Sequence, residues 1–234
     1  MTLNVKKHSV KAFDAELEVL HKNILDMARA VRQQLDDVGD ALVKGDAKAA
    51  EQVAARDKVI NEWEVELDAF METLISRRQP QAIDLRMLLG GYRMTNDFER
   101  MGDEIRNAAK GIRRLGAPLS GAASDTAASL LKIHALLQVM ADDMIASIDD
   151  LDLERANALM RRRTVVSSEV SESLVSIIGR MKAGVISIDD GLAFIRINRA
   201  LERVAAHLQN IGEAVVFVVE GLDVRHDADA TVQS

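Results

Sequence analysis

The chain has 234 residues, enough for one large or two small domains, and its 48% hydrophobic and 29% charged residues exclude disorder and suit long amphipathic helices. Only 3% of residues are aromatic and the prolines are Pro80 and Pro118 alone, which disfavours sandwiches and barrels and points to an all-α fold. A formal charge of −7 opposes nucleic acid as a main partner, and the absence of cysteine excludes disulfides and thiolate metal sites.

The first predicted helix carries an apolar seam at Phe13, Leu17, Leu20, Ile24, Met27, Val31, Leu35, Val38 and Leu42, spaced by three and four residues. Gly45 ends it, and Asp46 is placed to cap the next helix. Helix two spans about 47–76, with its seam at Val53, Ile60, Trp63, Leu67, Phe70 and Leu74, and stops at Arg77-Arg78-Gln79-Pro80. Helix three runs from 81–84 to about Leu115 on Leu85, Leu88, Tyr92, Phe98, Met101, Ile105 and Ile112.

Residues 116–124 (GAPLSGAAS) read as a linker, after which the arrangement repeats. Helix four is expected over 125–148, helix five over 152–182, helix six over 187–220, and a polar, frayed tail from Val224. An offset of about 103 residues maps Arg93 onto Arg196, Glu99 onto Glu202, Arg100 onto Arg203 and Asn107 onto Asn210; an offset of about 106 maps Asp46 onto Asp152 and Val59 onto Val165. The chain therefore reads as two tandem, pseudo-symmetric three-helix bundles of six long helices, residues 1–116 and 125–226, with 227–234 as a tail. No signal-peptide core and no apolar run of the ~20 residues that a bilayer span needs are visible, so a cytoplasmic location is expected.

Chemistry-bearing residues gather on two faces. On helix two Asp57, Asn61, Glu64 and Asp68 form one row beside the seam; on helix three Glu99, Asp103 and Asn107 form another. If antiparallel packing brings the rows together, their charges require interleaved bases, protonation or a cation, and hard oxygen ligands suit Mg, Ca, Mn or Fe. The same spacing also fits an ordinary solvated face. Glu18-x-x-His21 lacks the second copy that a di-iron bundle needs. His134 sits on a seam and reads as a hydrogen-bonded core histidine, while Arg161-Arg162-Arg163 reads as a solvated run. No phosphate loop or nucleophile signature is present, so no enzymatic activity is expected.

The motifs Asp97-x-Glu99-Arg100-Met101-Gly102-Asp103, Arg77-Arg78-Gln79-Pro80-x-x-x-Asp84-Leu85-Arg86 and Asp57-x-x-x-Asn61-x-x-Glu64-x-x-x-Asp68 resemble the PhoU family. So do the opening Phe13-Asp14-x-Glu16-Leu17 and the closing Gly221-x-x-x-Arg225-His226, and the likeness spans nearly the whole chain. It implies a phosphate-transport accessory protein, often homodimeric, that contacts the ATPase subunit of the phosphate ABC transporter and a phosphate-sensing histidine kinase. It would thereby act as a negative regulator of the phosphate-starvation response, reaching the membrane only through partners. A diverged metal-binding helical protein of metal or phosphate homeostasis is the alternative.

The family resemblance also implies metal on the first-repeat set, Asp57, Asn61, Glu64, Asp68, Glu99, Asp103 and Asn107, with Fe, Mn, Mg and Zn not distinguished. The second repeat departs from it. Glu202, Asn210 and Glu213 remain, but Ala205 and Ala206 replace the glycine and aspartate, and Arg163, Ser167, Val170 and Leu174 replace the row on helix two. No metal is expected there. Arg163 stands where Asp57 stands, and Glu202 where Glu99 stands, so the Arg163 guanidinium either neutralises Glu202 in place of a cation or extends to water.

Overall fold

The computed structural model describes residues 11–115 and 119–224, and these fold into six α-helices. They are α1 (Lys11–Lys44), α2 (Ala47–Arg78), α3 (Ile83–Leu115), α4 (Ala122–Asp150), α5 (Leu153–Lys182) and α6 (Ile188–Glu220). Local chemistry sets the ends. Asp46 and Asp152, one repeat apart, each accept two backbone N–H groups of the first turn that follows. Ser187 accepts the Asp190 backbone N–H and donates its hydroxyl to the Asp190 carboxylate, a reciprocal cap on α6. Gly221 stops α6 at φ 76°, where a side chain would be strained.

α3 and α6 lie at the centre, antiparallel and in contact along their lengths. α1 and α2 cover α3, α4 and α5 cover α6, and α1 meets α4 across the molecule. The register of the central pair is fixed by close approach: Gly90 sits under Val218, and Gly111 under Ile197. Buried seams of all six helices join in one apolar cluster that includes Met27, Leu35, Ile60, Phe98, Met101, Leu130 and Phe194. His134 is buried in it and hydrogen-bonds the Leu35 carbonyl at 2.7 Å, while burial holds its ring below the ordinary histidine range.

Four seam assignments differ from expectation, Leu85 among them, which is only partly buried. Tyr92 is 51% exposed, because Gly91 and Met94 take the buried face of that turn. Trp63 and Phe70 are only partly buried, at the edge of the core. α4 also begins at Ala122, three residues before Asp125. Residues 116–118, Arg225, His226 and the 227–234 tail lie outside the described residues. Among the described residues, no helix is long and apolar enough to cross a membrane.

Candidate functional site

The acidic rows of α2 and α3 face each other. The helices run antiparallel, so Asp57 comes opposite Arg106, Glu64 opposite Asn96 and Asp68 opposite Thr95. The Asn96 amide donates to Glu64 at 3.3 Å, and the Thr95 hydroxyl reaches Asp68 at 3.4 Å. Gly102 makes the deep seat of Asp57 possible, since a Cβ there would stand 3.2 Å from Asp57 Oδ1. Asp57 is only 3% exposed, an unusual depth for a carboxylate.

The electrostatics record the crowding. Burial pushes the Asp57 carboxyl above its ordinary range; Arg106 opposes the shift and Asp103 adds to it. Burial raises Glu64, helped by the charge of Asp68, and raises Asp68 against the Thr95 hydrogen bond. Glu99 is raised by burial first and then by Asp103, Glu64 and Asp57. These carboxylates therefore feel one another across the helix interface.

The centre of the cluster holds a guanidinium that the row pattern did not single out. Arg106 donates to Asp57 Oδ2 and binds Asp103 Oδ1 at 2.8 Å. Its spacing from Asp103, three residues on the same helix, was the available signal. Asn107 turns away from Asp57 and donates to Glu104 at 3.2 Å. Two oxygens stay buried without a partner, Asp57 Oδ1 and Asn61 Oδ1. The donor chemistry, oxygen throughout, suits a hard cation, and these two oxygens are left without a partner. The arrangement does not yet converge on a common centre: no group of three or more His, Asp or Glu side chains among the described residues is set to hold a metal ion. Arg106 instead bridges Asp57 and Asp103.

In the second half, Arg163 lies 3.9 Å from Glu202 and also donates to the Ser167 hydroxyl. Of the two alternatives open to Arg163, the structure has the guanidinium beside the carboxylate. Of the other singled-out groups, His21 lies 3.8 Å from Asp149 with no second Glu-x-x-His, and Arg162 reaches Asp143 at 3.1 Å.

Between α3 and α6 lies a polar cluster that no pattern along the chain announces. Asp97 accepts from Asn210 at 3.0 Å and is hydrogen-bonded to His207 Nδ1 at 2.8 Å, and Arg203 reaches Glu104 at 2.9 Å. Each link depends on the antiparallel register of two helices a hundred residues apart.

The PhoU domain family model matches residues 24–112 and 130–215, one segment in each set of three helices. The chain belongs to the PhoU family. It is 32% identical over 222 residues to a phosphate-specific transport system accessory protein PhoU homolog of Burkholderia sp, covering 95% of this chain and 94% of that protein. To the phosphate-specific transport system accessory protein PhoU of Escherichia coli (strain K12) it is 29% identical, covering 96% and 92%. The crystal structure of PhoU from Pseudomonas aeruginosa superposes with a TM-score of 0.83 at 29% identity, covering 90% of this chain and all of that one (100%). That of the phosphate transport system regulatory protein PhoU from Streptococcus pneumoniae gives 0.83 at 26% identity, covering 91% and 99%. The two-repeat PhoU architecture expected from the motifs is therefore the fold of this chain.

Proposed function

We propose that this protein is a non-catalytic accessory protein of phosphate-specific transport and a negative regulator of the phosphate-starvation response. One observation carries the reading: relatives named as phosphate-specific transport system accessory proteins align with nearly the entire chain, with nearly all of their own length covered. It acts by contacting the ATPase subunit of the phosphate ABC transporter and the sensor histidine kinase. A rigid six-helix body that binds one conformation of such an assembly better than another shifts its population by the difference in affinity. Cytoplasmic location, a homodimer and access to the membrane through those partners belong to the same proposal, as do the repeat units 1–116 and 125–226.

Deletion of the gene is the test, with starvation-gene expression read in rich phosphate. Derepression supports the proposal. Expression unchanged from the parent strain refutes it.

A second reading, a metal-binding protein, is favoured by the orphaned Asp57 Oδ1 and Asn61 Oδ1. In it Asp57, Asn61, Glu64, Asp68, Glu99, Asp103 and Asn107 supply oxygen to a divalent or iron-type ion. Arg106 must swing outward to admit it. Elemental analysis decides: protein purified with Glu99→Ala/Asp103→Ala should lose metal that the parent retains. Equal content in the two removes the site.

A further inference from the structure

A groove between the C-terminal half of α3 and the N-terminal half of α6 runs against the charge of the rest of the molecule. It has a volume of about 570 Å³ and is lined by Lys110, Arg196, Arg199 and Arg203, with Glu104 and Glu202 between them. Four cations face two carboxylates, and the carboxylates are already engaged: Glu104 by Arg203 at 2.9 Å, Glu202 by Arg163 at 3.9 Å. Among the described residues Lys110, Arg196 and Arg199 have no hydrogen bond or ion pair, although the charge of Lys110 also reaches Asp57, so this acidic protein gathers three unpaired cations in one concavity.

The internal repeat supplies a comparison. The pseudo-two-fold that relates α3 to α6 sets a matched stretch of the two helices at the other end of the same interface. There Glu213 stands for Lys110, Asn96 for Arg199 and Asp97 for Ala200. Asp97 is bound by His207 and Asn210, while the Arg196 counterpart, Arg93, lies over the Phe217 ring at 4.2 Å and within 3.7 Å of Asp223. There Arg93 is engaged by its neighbours, while Arg100, the counterpart of Arg203, stays exposed. The basic groove leaves Arg196 and Arg199 unengaged on the same helices and at the same offset. A generic solvated face would be expected at both ends.

Arg196, Arg199 and Arg203 follow one another at i, i+3 and i+7, a row roughly 10 Å long on one face of α6, with Lys110 across from it on α3. Guanidinium groups in a row match the paired oxygens of successive phosphoryl groups, and a lone tetrahedral anion reaches only part of the row. No aromatic ring lines the groove to stack a base. We propose that this groove binds a phosphoanhydride chain of two or more phosphoryl groups, either a free inorganic chain or the tail of a nucleotide. The assignment rests on the groove itself and stands or falls apart from the transport reading.

Isothermal titration of the full chain, in buffer free of divalent cations, tests it with tripolyphosphate, ATP, orthophosphate and a hexaglutamate peptide. The expected result is one saturable site for tripolyphosphate, weakened about tenfold or more by Arg196→Ala/Arg199→Ala. Lys110→Glu, which imports the charge of the matched Glu213 at an exposed position, should weaken it likewise. The control Lys48→Ala/Lys58→Ala, which removes two cations elsewhere, should leave it unchanged, with all variants showing the parent's helicity and melting temperature. Equal affinity for tripolyphosphate and ATP assigns a free chain; tighter ATP assigns a nucleotide. The proposal is overturned by no saturable binding, by equal weakening in the control, by orthophosphate binding as tightly as the chain, or by hexaglutamate binding at least as tightly.

Discussion

Arg106 is the residue on which the acidic interface turns, and its replacement by methionine isolates that role. Methionine keeps an unbranched stem packed between α2 and α3 and removes the charge. What remains is Asp57, buried to 3%, with Oδ1 already orphaned and Oδ2 now orphaned too. Asp103, 40% exposed at its side chain, simply rehydrates. Removing one partner of a fully buried pair costs about 3–5 kcal/mol. The Arg106 side chain is 31% exposed, so water carries part of its load, and roughly 2–3 kcal/mol is expected at neutral pH. There is also a ceiling. The orphaned carboxyl can always take a proton, at about 1.4 kcal/mol per pH unit above its ordinary pKa of about 3.9, so the loss cannot exceed about 4 kcal/mol at pH 7 or about 1.5 at pH 5. For a chain of this length the neutral-pH loss lowers the melting temperature by roughly 4–12 °C. Thermal unfolding followed by circular dichroism at both pH values, in the parent and in an Asp57→Asn background, gives the comparison. The loss should shrink at pH 5 and nearly vanish when Asp57 is already neutral. An equal loss under all four conditions would mean that Arg106 acts through packing alone, and the electrostatic account would be refuted.

Glu99→Gln should have the opposite sign. Burial first, then Asp103, Glu64 and Asp57, raise the folded pKa of Glu99 above its unfolded value, so the folded state binds the proton more tightly and the ionised form carries a penalty above that raised pKa. The variant should melt higher than the parent at pH 7–8, and the gap should close as pH falls through the raised pKa toward the ordinary glutamate range; a gap constant with pH would contradict this. Gly111→Ala places a Cβ 2.6 Å from Ile197 and 3.1 Å from the Ala193 carbonyl, so it should lose roughly 1–3 kcal/mol despite alanine's better helix propensity. Gly179→Ala on α5 meets nothing within 4 Å and should gain about 0.5–1 kcal/mol, both read by urea denaturation. Arg163→Met should cost less than about 1 kcal/mol, because Glu202 is 43% exposed and the pair is 3.9 Å apart; a loss equal to that of Arg106→Met would show a burial the geometry does not have.

Helix limits were legible because they are written in local chemistry. Asp46 and its repeat match Asp152 cap where the sequence places them, and Gly45 stops α1. Repeat arithmetic went further than periodicity, since it put Arg163 beside Glu202 without any knowledge of how α5 and α6 pack. Seam reading failed at Tyr92 because the apolar stripe of α3 shifts: Gly91, Met94 and Thr95 turn inward there and the aromatic ring is left outside. Arg106 escaped because a search for clustered acids counts acids, and the cation that makes the cluster tolerable is itself part of the pattern. The Asp97–His207–Asn210 cluster and the basic groove were beyond reach for another reason. Both exist only once α3 and α6 have been set antiparallel in a register fixed by Gly90 and Gly111.

The two repeats solve one electrostatic problem in inverted form. At matched positions the first half has Asp57 on α2 and Arg106 on α3, whereas the second has Arg163 on α5 and Gln209 on α6. The guanidinium has changed helices between copies. In the first half it comes from the central helix and is shared with a buried carboxylate, so the charge is locked inside the bundle. In the second it comes from the outer helix, where it faces a half-exposed Glu202, and Gln209 is left to hydrogen-bond Glu213 at 2.8 Å. Moving the cation outward has a consequence for the central helix. Freed of the need to neutralise a buried acid, α6 keeps Arg196 and Arg199 for the surface, while α3 commits Arg93 and Arg106 to internal partners. The basic groove and the acidic interface are then two ends of one redistribution of charge across a duplicated fold.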